Sequence, residues 1–290
     1  EEKRFWRETL REIRAPTRLF KASPPAAGGG EAQGDRRQAV QVRLEAAAAA
    51  GLQALAQSHQ VSLETVLLAA WACLLQRCSG GEKRVLFGSL LAQPTQHTPG
   101  ADASSGAAPL VGCVRAAVPT VVDFNEDKYA GDDGAGLGEN GVGVRLDAFL
   151  RRLDATVRAT RERGQQAGGA TLSISAIQQQ SEVAAEYSLF ESLFVWDDYT
   201  RGLLDAAADV AVSSDHTTNW QYPLVLVVRH DATSSSPAPY DLTLSYDAGL
   251  WQPKDAQRLS VYLSTLLAGL STAAPAQTVH SLPLLPEDEV

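Results

Sequence analysis

Five histidines, three cysteines, one adjacent acidic pair and one glycine-rich hexapeptide are the residues that invite a chemical reading. His59, His97, His216, His230 and His280 stand apart, and none has an acidic neighbour three or four positions away on a clear helix face. They read as solvated surface histidines rather than a catalytic set. Cys73 and Cys78 are five positions apart on an expected helix, about 140° round from each other, so they cannot share one tetrahedral metal. Buried core thiols are the better reading. Gly136-Leu137-Gly138-Glu139-Asn140-Gly141 matches a dinucleotide fingerprint in letters only. That motif needs a buried strand leading in, whereas Asp127, Asp132 and Asp133 lead in here as an acidic coil that repels phosphate. Asp197-Asp198 closes an apolar strand, where a turn or solvated rim is expected, and no acid partner stands nearby for catalysis. There is no P-loop and no G-x-S-x-G elbow. The residues by themselves therefore assign no catalytic, cofactor-binding or metal-binding position.

The elements that must carry any site are clearer. Residues 3–14 place Phe5, Trp6, Leu10 and Ile13 on one helical face, and Pro16 is expected to end that helix. Residues 22–35 read as a flexible loop. Val40, Val42 and Leu44 alternate like a half-buried strand. Glu45 to Gln60 reads as an alanine-rich helix, and Ser62 opens a more apolar one reaching about Arg77, stopped by Gly80-Gly81. Strands are expected at Arg84–Ala92, Val111–Asp123, Leu189–Tyr199, near Val210, and at Tyr222–Arg229 and Tyr240–Asp247. Flexible loops are expected at 93–108 and at the acidic, glycine-rich insertion 125–143. Val144–Arg163 is amphipathic through Leu146, Phe149, Leu150, Leu153 and Val157, and a last helix beginning at Pro253 lines up Leu259, Tyr262, Leu263, Leu266, Leu267 and Leu270. Trp71, Phe87, Trp196, Tyr222 and Trp251 read as core aromatics. Strands and helices mix without strict alternation or a fixed repeat, which makes the expected class α+β, helices packed on a mixed sheet.

Composition bounds the function. The 290 residues carry 25 Lys+Arg against 34 Asp+Glu, a formal charge of −9, which argues against nucleic acid or an anionic membrane as a general partner. The longest apolar run, Val66 to Leu75, is far short of the roughly 20 residues that span a bilayer. Three cysteines cannot all pair, and a reducing cytoplasm is the expected compartment. The chain holds no methionine and opens at Glu1 inside a charged helix, so the expectation is a piece of a longer polypeptide.

Eight segments, in order, resemble the condensation domains of nonribosomal peptide synthetases. Phe5-Trp6-Arg7-Glu8-Thr9-Leu10 resembles an F-W-x-x-x-L helix, Ser62 to Trp71 a T-x-x-x-x-L-x-A-A-W helix, and Val85-Leu86-Phe87-Gly88 a V-x-F-G strand. Leu110-Val111-Gly112 through Val118-Pro119 resembles V-G-x-x-x-N-x-x-P, and Leu189 to Tyr199 is similar to L-F-D-S-x-x-V-F-x-N-Y. Thr218 to Leu226, Leu244 to Asp247 and Ser281 to Leu285 resemble the T-x-Y-P-L strand, the L-x-Y-D strand and the S-L-P-L-L exit linker.

The resemblance implies a chloramphenicol-acetyltransferase-like fold, with residues 1–280 as the C-terminal of two lobes and 281–290 as a linker toward an adenylation domain. It implies an N-terminal lobe and carrier proteins as partners. Their phosphopantetheine arms would bring acyl and aminoacyl thioesters for amide formation, with no cofactor bound directly. The H-H-x-x-x-D-G motif that positions or deprotonates the attacking amine is absent, so this chain is expected to be inactive alone and no catalytic residue carries over. By position in the matched motifs, Val111, Gly112, Ala116 and Ser192 are the expected tunnel wall. Ala116 replaces the family's Asn, Arg115 stands at a usually apolar place, and Gln93 stands where the S-G-R-P turn has Arg. These departures leave open a non-catalytic docking or scaffold lobe, or an epimerisation or heterocyclisation relative.

Overall fold

The structure is a computed structural model that describes residues 2–19, 37–93, 114–130, 136–138, 141–166, 172–197, 221–230, 240–286 and 289. The loop expected at 22–35, the strand near Val210 and all of 93–108 except Gln93 lie outside these residues, as do Val111, Gly112 and Asp198. The described elements are α1 (Glu2–Thr9), β1 (Arg37–Val42), α2 (Ala46–His59), α3 (Leu63–Cys78), β2 (Arg84–Gln93), β3 (Val114–Asp123), α4 (Leu146–Gln166), α5 (Ile174–Gln178), β4 (Ser192–Asp197), β5 (Leu224–His230), β6 (Tyr240–Asp247) and α6 (Pro253–Ser271).

Among the described residues the strands form one six-stranded sheet in the order β1-β6-β5-β4-β2-β3. The β2–β4 and β4–β5 pairs are parallel and the other three antiparallel. Strand alternation sends Leu224, Leu226 and Val228 of β5 to one core, with α2, α3, α4 and α6. Val225 and Val227 go to a second core with Trp6, Leu10, Ile13, Ile177, Val183, Leu189 and Phe190. Strands buried on both faces read as continuous apolar runs, as Leu224-Val225-Leu226-Val227-Val228 does. Pro119 sits in β3 opposite Gly88; β3 is the edge strand, where a missing N–H is tolerated.

Several local expectations are met by named contacts. Ser62 caps α3, its hydroxyl accepting from the Thr65 N–H at 3.1 Å, and Gly80 and Gly81 end the turn after it at φ 94 and 79. α1 stops earlier than expected. Glu12 turns left-handed at φ 68 well before Pro16. The Arg84 guanidinium then accepts the role of the next turn, donating to the carbonyls of Thr9 at 2.9 Å and of Arg11.

The described parts of 125–143, expected to be a flexible loop, are tied down. Asn125 caps a 3-10 turn at Glu126–Lys128. Tyr129 is buried, with its hydroxyl donating to the Asp123 carbonyl at 2.6 Å, and Glu126 accepts from the Gly143 N–H at 2.9 Å. Gly141 and Gly143 have φ 72 and 76, so this glycine pattern serves a turn onto α4. The C-terminal segment is also held. Arg77, in the last turn of α3, donates to the carbonyls of Leu282 (2.6 Å), Val279 (2.8 Å) and His280 (3.3 Å), and Leu282 is buried. No single helix among the described residues is long and apolar enough to cross a membrane.

Candidate functional site

The parallel strands β2, β4 and β5 run the same way, so their carboxyl ends share one edge of the sheet. The starts of β3 and β6, antiparallel to β2 and β5, lie on that same edge. In open sheets that mix strands and helices, ligands bind outside the carboxyl ends of parallel strands, where no helix layer closes the surface.

Of the expected tunnel residues, backbone register places Ala116 at this edge. Ala116 of β3 pairs with Leu91 of β2, while Gly88 and Ser89 stand beside Leu193 and Phe194 of β4. These pairings put Ala116 near the carboxyl end of β2 and Trp196 near the carboxyl end of β4. Ser192 does not join them. It starts β4, four residues back from Trp196, is 3% exposed, and its hydroxyl has no hydrogen-bond partner among the described residues. The structure thus brings Ala116 to the edge and buries Ser192 in the sheet.

Two features at this edge were missed in the sequence. Asp197, expected in a turn or solvated rim, is the last residue of β4 and pairs with Arg229 of β5 at 3.4 Å. Their side chains are 12% and 19% exposed, respectively. On the opposite face, the rings of Trp196 and Tyr240 lie 6.0 Å apart across the intervening β5. The only signal available was acid and base at the ends of two apolar strands 32 residues apart, which becomes readable only once the pairing is known.

Away from this edge, a cleft of about 380 Å³ opens between α1, the far end of β3 and α4, and Arg84, Asp123, Tyr129 and Arg152 line its polar side. It is floored by Val121 and Val122, at the other end of β3 from Ala116. Among the described residues no group of three or more His, Cys, Asp or Glu is placed to hold a metal. His59 ends α2 and His280 lies in the turn at Val279–Ser281; His97 and His216 are outside the described residues.

Cys73 and Cys78 are buried free thiols. Burial pushes Cys73 up to about 12 and Cys78 up to about 11, with the Arg77 charge opposing it in both. The thiolate is the nucleophile, so neither is a reactive centre at neutral pH. Iodoacetamide at pH 8 is expected to leave both unlabelled in the folded protein and to label both after denaturation, read by peptide mass spectrometry. Labelling of either within minutes under native conditions would contradict the burial.

The Condensation domain family model matches residues 1–290. Chondramide synthase cmdD of Chondromyces crocatus is 29% identical over 99% of this chain, which spans 6% of that synthase. The solved complex of the X-domain and OxyB from teicoplanin biosynthesis matches with a TM-score of 0.68 at 18% identity, over 99% of this chain and 56% of that one. The first condensation domain of the CDA synthetase matches with a TM-score of 0.60 at 16% identity, over 98% of this chain and 53% of that one. The mixed sheet with helices packed on it is the chloramphenicol-acetyltransferase-like fold of these domains. From the match along its whole length, this chain belongs to the condensation-domain family.

Proposed function

We propose that residues 1–280 are the C-terminal lobe of a nonribosomal peptide synthetase condensation domain, with 281–290 leading toward an adenylation domain. The observation that carries this reading is a family match over the whole chain combined with a span of only 53% of a solved condensation-domain chain. In the complete domain a carrier-bound acyl thioester and a carrier-bound aminoacyl thioester meet between the two lobes. The acceptor amine attacks the donor carbonyl, a C–N bond forms and the C–S bond breaks. The amine's proton leaves with the help of a general base, and the donor carrier's phosphopantetheine thiol is released. The motif that positions or deprotonates the amine is assigned to the N-terminal lobe, since this sequence contains no His-His pair.

This lobe supplies the wall at the carboxyl edge. Val111, Gly112 and Ala116 belong to the segment that leads into and along β3, and they form the tunnel side of that wall. Ser192 supports β4 from within the sheet. The partners are the N-terminal lobe, the carrier proteins and the following adenylation domain, in the cytoplasm. No cofactor is held directly; the phosphopantetheine arms arrive with the carriers.

The test compares this chain alone with the parent polypeptide that contains it, each supplied with loaded carrier proteins, and follows amide product by mass spectrometry. The parent should form product and the lobe alone should form none. Turnover by the isolated lobe would sink the two-lobe reading. A parent without turnover that still binds carrier or tailoring proteins would favour a docking module instead, a role consistent with the X-domain's solved complex with OxyB.

A further inference from the structure

We propose that the outer edge of β3, between α1 and α4, is a docking site for a short extended peptide of a partner polypeptide. The peptide adds to the sheet as a further strand and turns an acidic side chain toward α4. This surface lies at the other end of β3 from Ala116, and the inference stands without the condensation reading.

Three observations carry it. First, the β2–β3 ladder determines which backbone groups of β3 are already bonded. The Phe124 N–H donates to the Lys83 carbonyl at 2.7 Å, one step beyond the Arg84–Asp123 pair. Bonded and non-bonded pairs alternate along an antiparallel ladder. Val122, Thr120 and Val118 therefore bond inward to β2, while Val121 and Asp123 turn their N–H and C=O outward. Pro119 belongs to the same outward set, where no N–H is needed. β3 ends the strand order, so no strand among the described residues pairs with its outer side. The Asp123 carbonyl accepts from Tyr129; the Asp123 N–H and both backbone groups of Val121 have no partner among the described residues. Such a row is a template for an added strand. Second, there is room for one. Val121 and Asp123 line the cleft of about 380 Å³, and its walls are Thr9 of α1 and the small Ala155, Thr156 and Ala159 of α4. Third, the charge at the site is complementary to an acid. Arg84 faces Asp123 at 3.6 Å, which leaves Arg152 as the uncompensated cation of the cleft. It stands over the Tyr129 ring at 5.3 Å and donates from one nitrogen to the Lys128 carbonyl at 2.9 Å, with further guanidinium donors open. Alternate residues of an added strand point to opposite faces, so those on the α4 side meet Arg152 and the alanines. Main-chain hydrogen bonds then supply affinity and the alternating side chains supply specificity.

The experiment titrates a fluorescein-labelled Val-Glu-Val-Glu-Val amide onto the parent polypeptide and reads anisotropy. Saturable binding is expected below about 1 mM. Methylating the backbone nitrogens of one alternate set, the valines or the glutamates, should weaken it about tenfold or more, and methylating the other set should not, because only one side of the peptide pairs with β3. The same peptide with Lys for Glu should also bind about tenfold or more weakly. Val121→Pro removes the outward N–H but no bond to β2, so it should abolish binding while hydrogen exchange across β2 stays as in wild type. If β2 loses protection in that variant, Arg152→Glu makes the comparison instead, and it should reverse the preference to the Lys peptide. No saturable binding, equal effects of the two methylations, or equal binding of the Glu and Lys peptides overturns the proposal. Displacement of the peptide by glutamate or inorganic phosphate at the peptide's own concentration also overturns it, in favour of a small-anion site at Arg152.

Discussion

Gly88→Ala is expected to destabilise the lobe by about 3 kcal/mol, and Gly88→Val by more, because the second core has no room for a side chain there. A β-carbon at this position would lie 2.7 Å from Cζ of Phe190 and 2.8 Å from Cδ1 of Leu193, and would overlap the Phe190 ring at Cε2. The ring cannot swing clear. It is 1% exposed and stacked on Tyr222 with centroids 5.0 Å apart. The glycine that closes the V-x-F-G strand is therefore a packing residue, and the residue it accommodates is the Phe of the Leu189-Phe190 segment about a hundred positions later. A double-mutant cycle checks this by urea denaturation. Phe190→Ala alone should cost roughly 3–5 kcal/mol, and Gly88→Ala added to it should cost almost nothing further. Additive losses in the double variant would mean that the two positions do not compete for one volume.

The parts legible in the sequence are those whose stabilisation is periodic. α4 and α6 bury the faces their spacing marked: Phe149, Leu150, Leu263 and Leu266 are 0% exposed. Tyr240–Asp247 is the sixth strand with the expected bounds. What stayed hidden depends on contacts distant in sequence. The second core draws Ile177 from a five-residue helix and Val183, Leu189 and Phe190 from irregular backbone, and irregular backbone has no period to read. α1 ended early: Glu12 adopts a left-handed turn, and Arg84, far along the chain, donates to the carbonyl of Thr9, the last residue of α1. The candidate site divides the same way. Motif position marked Ala116, which the register brings to the carboxyl edge. The same logic marked Ser192, but a position in a motif does not say how far along a strand the edge lies, and Ser192 is at the buried end. The Asp197–Arg229 pair and the Trp196–Tyr240 contact required the strand order β4-β5-β6, which no local pattern encodes.

That division predicts how the family's most recognisable helix should behave. In Ser62 to Trp71, the serine is the helix cap, Thr65 donates through its hydroxyl to Asp154 of α4 at 2.8 Å, and Ala69, Ala70 and Trp71 are at most 1% exposed. The motif is thus a core specification, with small residues admitting neighbours and one indole filling the space between helices and sheet. Trp71→Ala should cost about 4 kcal/mol, near the middle of the range for emptying a buried Trp site. Trp71→Phe should cost well under half of that. The indole N–H of Trp71 has no hydrogen-bond partner among the described residues, so a benzyl ring forfeits volume but no polar contact. Equilibrium denaturation of the two variants separates volume from hydrogen bonding. Comparable losses for Phe and Ala would show that the N–H is bonded in solution, by a buried water for example. A small loss for both would place Trp71 outside the core and make its recurrence in the motif a matter of function rather than packing.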